Sequence, residues 1–118
     1  MLLDIGIERK IYTLDEIKQM LSKIPENITD FLDVAQIRVF GSYHYGTENY
    51  YSDIDFLIIT DSKTSDNNLS RDLISKSFTD VFGNDIDIVA IDVNSDIDEF
   101  ERAILIESTV IKKYRDIL

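Results

Sequence analysis

The stretch that decides the fold is VFGSYHYGTENYYSDIDFLII, Val39 to Ile59. It opens at the end of an alternating run, Ala35, Ile37 and Val39 against Gln36, Arg38 and Phe40, which predicts a strand stopped by Gly41. It closes in Ile54 to Thr60, almost continuously apolar behind a polar leading end, which predicts a second strand buried on both faces. The tract between, Gly41 to Ser52, is too polar for core and reads as a loop or a short helix plus loop. A glycine at a strand's end lets backbone amides approach a phosphate closely. A helical turn behind it would aim free N–H groups and a positive dipole end at that anion. Ser42 adds a hydroxyl donor, and Gly46 ends the turn and swings the chain back toward the second strand.

Asp53 and Asp55 open that second strand, and residues two apart on a strand project from one face, about 7 Å apart. Like charges at the edge of an apolar sheet call for a cation, and carboxylate oxygens select a hard one such as magnesium or manganese. The pair alone fits two solvated acids at a strand end equally well, because Asp-Ile-Asp occurs three times, at 53–55, 85–87 and 96–98. Asp96 and Asp98 follow Ser95 at the start of a helix, where capping and the helix dipole favour acids, so they read as structural.

Outward from this segment, Thr13 is a helix N-cap with Glu16 as its capping-box partner. Leu14, Ile17, Leu21 and Ile24 share a face, and Pro25 marks the end. Asp61 to Asn68 reads as a turn, and Leu69, Leu73, Ile74, Phe78, Val81 and Phe82 trace a helical stripe ended by Gly83. Ile86 to Ile91 is a third strand, with Asp92 a loop acid beyond it. Ser95 is the expected N-cap of a helix through about Glu107 with Ile97, Phe100, Ala103 and Ile104 inward, and Thr109 to Tyr114 a short last strand. The order points to a single sheet covered by helices, an α/β (α+β) fold. Met1 to Tyr12 shows no period and stays unassigned.

The whole sequence, 118 residues, fits one domain over 1–118, since two cores need more chain. With 23 acidic and 12 basic side chains the formal charge is -11, which argues against direct nucleic-acid binding through phosphates. The absence of cysteine excludes a disulfide scaffold, a thiolate zinc site and a cysteine nucleophile, and favours a reducing cytoplasm. No stretch approaches the roughly 18 apolar residues of a membrane span.

Gly41-Ser42, Gly46, and Ser52-Asp53-Ile54-Asp55 ahead of Phe56-Leu57-Ile58-Ile59 together resemble the signature of the DNA polymerase beta-like nucleotidyltransferase superfamily, in its minimal stand-alone branch. The resemblance implies a nucleotidyltransferase fold with a small mixed sheet flanked by helices. In that family a third carboxylate comes from a later strand as apolar, Asp, apolar, apolar. Ile86-Asp87-Ile88-Val89 fits, with Asp85 as runner-up. It implies Asp53, Asp55 and Asp87 as catalytic residues and ligands of two ions, Mg2+ or Mn2+, and Gly41, Ser42, Gly46 and Ser52 as nucleotide-binding residues. A nucleoside monophosphate, AMP from donor ATP, would pass to a hydroxyl by in-line attack without a covalent enzyme intermediate.

Stand-alone members resemble antitoxins that adenylylate a tyrosine of a HEPN-domain toxin, so a HEPN protein is the expected partner, in a homo- or hetero-oligomer without membrane contact. The rival reading is a catalytically silent binding protein that neutralises its partner by direct contact. An antibiotic-modifying enzyme fits less well, because a second domain for the drug would be needed. One departure stands out: His44 and Tyr45 occupy places where many minimal members carry a small residue and an arginine. Arg38, Lys63, Arg71 and Lys76 are candidate replacements for the lost cation, each of them also readable as an ordinary surface residue. His44 reads as a packing or hydrogen-bonding residue, not a general base. Tyr43, Tyr45, Tyr50 and Tyr51 either stack on a base or cover the core.

Overall fold

The computed structural model describes residues 11–27, 33–49, 52–61 and 67–116, with the side chains of 67–71 excepted. The unassigned arm through residue 10, Tyr50, Tyr51, Lys63 and the side chain of Arg71 lie outside the described residues. Helix α1 is Leu14–Leu21, opened by the expected capping box: Glu16 N–H donates to Thr13 Oγ1 and Thr13 N–H to Glu16 Oε1, both at 3.0 Å. Strand β1 is Val34–Phe40, the short helix α2 Ser42–Tyr45 and strand β2 Ile54–Thr60. Helix α3, Asn67–Phe82, starts two residues before the expected apolar stripe and ends at Gly83, whose φ is +82°. Strand β3 is Ile86–Asp92, helix α4 Glu99–Ile106 and strand β4 Ser108–Lys113.

The sheet is mixed, in the order β3-β2-β1-β4, with β2 and β3 parallel and the other pairs antiparallel. The two-residue period of the strands divides the core between its faces. Ile37, Val39, Ile54, Phe56, Ile58 and Ile111 meet Ile17 and Leu21 of α1 and Ile74, Phe78 and Phe82 of α3 on one face. On the other, Leu57, Ile59 and Ile91 meet Ile104 of α4, with Phe40, Val89, Ile97 and Leu105 at the margin. Phe56 is fully buried, its ring centroid 4.9 Å from those of Phe78 and Phe82, and burial of such a side chain stabilises by about 1.5–3 kcal/mol. Because helices cover both faces, β1 and β2 are buried on both, as the apolar run of β2 predicts.

Three expectations are corrected. Helix α4 is capped by Asp98, not Ser95. The N–H groups of Asn94 and Ser95 both bond to Asp92, so the chain is still turning there. Asp98 and Glu101 then exchange the side-chain bonds of a capping box, at 2.7 and 3.1 Å. That later start leaves Ile104 facing the sheet, whereas Phe100 is 67% exposed and Ala103 is exposed too. Asp92 is no loop acid: it ends β3 and accepts a 2.8 Å hydrogen bond from the Thr60 hydroxyl across the sheet.

Candidate active site

The site builds up at one rim, where β1 ends and β2 and β3 begin, on the face that α4 covers farther along. Phe40 of β1 stands opposite Asp55 of β2, and Asp55 opposite Asp87 of β3. Residues in register across a sheet share a face, so the two carboxylates lie side by side, with the start of the Gly41 turn next to them. Gly41 holds φ +65°, ψ -141°, and a Cβ there would overlap Asp55 Oδ2. Both conditions admit only glycine, and they bring the Gly41 backbone directly onto the Asp55 carboxyl.

Burial is the first cause that raises the Asp55 pKa, to about 6. The charge of Asp87, a hydrogen bond with its carboxylate and the charge of Asp53 follow. Crowded acids of this kind are what a bound divalent cation relieves, and the donor set is carboxylate oxygen throughout, which suits magnesium or manganese. Asp53 precedes the first ladder residue of β2. Among the described residues no three acidic or histidine side chains close into a ready cage. Asp85 lies before β3, is exposed, and its carbonyl accepts the Ile54 N–H at 3.1 Å; the register brings Asp87, not Asp85, beside Asp55.

Helix α2 follows Gly41 directly. His44 and Tyr45 N–H groups bond back to Gly41 O at 3.0 and 3.1 Å, which leaves the Ser42 N–H without an intrahelical acceptor at the site end. Gly46 closes the turn at φ +73° with the Thr47 N–H on Ser42 O. The Ser52 hydroxyl accepts the Asn49 N–H at 2.9 Å, shaping the turn that delivers the chain to Asp53.

The His44-Tyr45 departure has a structural account. His44 Nδ1 lies 2.8 Å from Thr109 Oγ1 on β4, and the Tyr45 hydroxyl bonds Glu107, which raises its pKa. The buried Tyr43 accepts the Tyr12 N–H at 3.3 Å through its hydroxyl. The tyrosines thus divide: Tyr43 covers core, while Tyr45 is 57% exposed. Thr109 and Glu107, which anchor α2, carried no signal in the sequence. Arg38 does not serve the site: its guanidinium bonds Gln36 Oε1, Leu105 O and Ser108 Oγ, bracing β1 to the end of α4. Lys76 pairs with Asp80 on the exposed face of α3. A cleft of about 630 Å3 opens beside Asp87 along β3, between α3 and the first turn of α4.

The profile of the family described as "Nucleotidyltransferase domain" matches residues 14–115. No curated protein matches the sequence. Among solved structures, a Sulfolobus solfataricus protein described as a nucleotidyltransferase is 20% identical with a TM-score of 0.56, over 89% of this chain and 91% of that one. A toxin-antitoxin structure with AMP-PNP is 23% identical, TM-score 0.52, over 86% and 74%. A complex of tri-AMPylated Shewanella oneidensis HEPN toxin with MNT antitoxin is 18% identical, TM-score 0.54, over 85% and 72%. At such identities the likeness is one of fold. Among the described residues no helix is long and apolar enough to cross a membrane.

Proposed function

The chain belongs to the nucleotidyltransferase domain family, and on that premise we propose that it transfers AMP from ATP to a tyrosine hydroxyl of a HEPN-domain partner. One juxtaposition carries this reading: Gly41 is packed on Asp55, and Asp55 stands in register with Asp87. The choice of adenylate and of a HEPN acceptor is supported by relatives of the same fold, one holding AMP-PNP and one an AMPylated HEPN toxin beside an MNT antitoxin.

In this reading the Ser42 N–H and the Ser42 hydroxyl donate to the terminal phosphates. Gly46 and the Ser52 turn hold that segment and Asp53 in place. Asp53, Asp55 and Asp87 hold Mg2+ or Mn2+, which when bound supplies the positive charge that offsets the triphosphate and the crowded acids. The acceptor oxygen forms its bond to the α-phosphorus as the bond from that phosphorus to the leaving pyrophosphate breaks. The hydroxyl proton passes to Asp87, the exposed acid next in line, and from there to water.

The test is incubation with labelled ATP, magnesium and the HEPN protein encoded alongside. Label should appear on a partner tyrosine with the wild-type chain and fall by about a hundredfold or more in Asp53→Ala and Asp55→Ala, with partner binding and a cooperative melt retained. Ser42→Ala should keep partial activity, reduced by about tenfold. Equal labelling by wild type and both aspartate variants, or none by either, overturns the reading.

A further inference from the structure

Strand β3 is an edge of the sheet, and among the described residues its one strand neighbour is β2. Two hydrogen bonds bracket their ladder: Ile54 N–H to Asp85 O at 3.1 Å, and Val93 N–H to Thr60 O at 2.9 Å. In a parallel ladder the inward-bonding residues alternate, so Asp85, Asp87, Val89, Ile91 and Val93 turn their peptide groups to β2. The N–H and C=O groups of Ile86, Ile88 and Ala90 therefore point outward from the sheet. These open groups form the floor of the 630 Å3 cleft, whose walls are α3 and the first turn of α4, with Asp72 on one side and the exposed Phe100 and Glu101 on the other. A row of peptide groups with no strand partner among the described residues, set between two walls, has the shape that receives an extended chain. Of the described side chains lining it, Asp72, Asp87 and Glu101 are acidic and none is basic, so the occupant it complements is cationic.

We infer that the acceptor polypeptide docks by adding a strand to the outer edge of β3, through an extended segment carrying lysine or arginine. The row Phe40, Asp55, Asp87 then continues into the added strand. Its residue opposite Asp87 lies about 4.8 Å away on the same face, the distance at which a hydroxyl side chain faces the rim where the α-phosphorus is transferred. This docking rests on the transfer reading above and specifies how the acceptor reaches it.

The test uses the full chain without nucleotide or metal, and as probe a short acetylated peptide alternating lysine with valine around a central tyrosine. Amide exchange at Ile86, Ile88 and Ala90 should slow by at least about tenfold on addition, with Asp87 and Val89 little changed. The same peptide N-methylated at alternate residues keeps its charge but cannot pair, and should bind at least about tenfold more weakly. Ala90→Pro, which removes one outward N–H, should lose the probe, and Asp72→Lys should weaken it by about threefold or more. Should Ala90→Pro fail to fold, the N-methylated peptide against the unaltered chain decides.

Equal binding of the two peptides overturns the docking, as does protection of the three amides in the free chain. Protection that depends on chain concentration, or on ATP with magnesium in place of peptide, also overturns it. Transfer to the HEPN protein by Ala90→Pro at the wild-type rate sinks the docking alone. Absence of transfer with the peptide still bound at β3 sinks the transfer reading alone.

Discussion

Gly41 concentrates the site's demands on one position, because its backbone conformation and the Asp55 oxygen beside it each exclude a side chain. Gly41→Ala should lower stability by about 1–3 kcal/mol in chemical denaturation and abolish triphosphate binding, even though nothing charged is removed. Asp55 gives a pH dependence. Its carboxyl holds a proton up to about 6 in the fold, against an ordinary 3.8, so the folded state binds that proton more tightly than the unfolded chain. The resulting stabilisation is complete below about pH 4 and is lost as pH rises through about 6. In chelator, Asp55→Asn should therefore melt above wild type near neutrality, and the gap should close as the buffer approaches about pH 4. A constant gap would contradict the crowding of Asp55 by its neighbours. The turn at Gly41 was legible because a glycine closing a strand is a local signal, whereas the Asp53–Asp55 spacing recurs at 85–87 and 96–98 and stood out only beside that turn and the family resemblance. The bonds that anchor α2 were not: His44 meets Thr109 65 residues away, and no local pattern announces such a meeting.

Among the elements, β2 was readable to the residue, since an unbroken apolar run with polar ends has only one way to be a buried strand. The start of α4 was not, because Ser95, Asp96 and Asp98 are all competent caps and propensity cannot choose between them. The choice is made by the turn at Asp92, which consumes the Asn94 and Ser95 N–H groups before a helix can begin. Asp98→Ala should accordingly cost about 1 kcal/mol in denaturant titration, while Ser95→Ala should stay within about 0.5 kcal/mol of wild type. The same three-residue displacement decides Phe100. A helix begun at Ser95 would have pointed it inward, and the helix begun at Glu99 leaves it on the wall of the β3 cleft.

Across the whole molecule, the sheet order β3-β2-β1-β4 had no counterpart in the sequence: period and caps give the elements but not which strand lies beside which. The formal charge of -11 was legible and has a global effect, since self-repulsion opposes the compact state. The melting temperature should rise with sodium chloride up to about physiological ionic strength. Magnesium chloride at matched ionic strength should raise it further through binding to the rim acids, and that excess should vanish in Asp55→Ala. The order of the strands also makes the chain divisible. Between β3 and β4 the backbone crosses from one border of the sheet to the other, and α4 with β4 lies on the rest as a separable strip, attached by Ile104 on one side and by the β1 ladder on the other. A break placed within 93–98 yields two halves whose complementary surfaces are both apolar and strand-forming. Co-expressed, they should reassemble and recover a cooperative melt, which would make nucleotidyl transfer a quantity that fragment pairing can switch on and off.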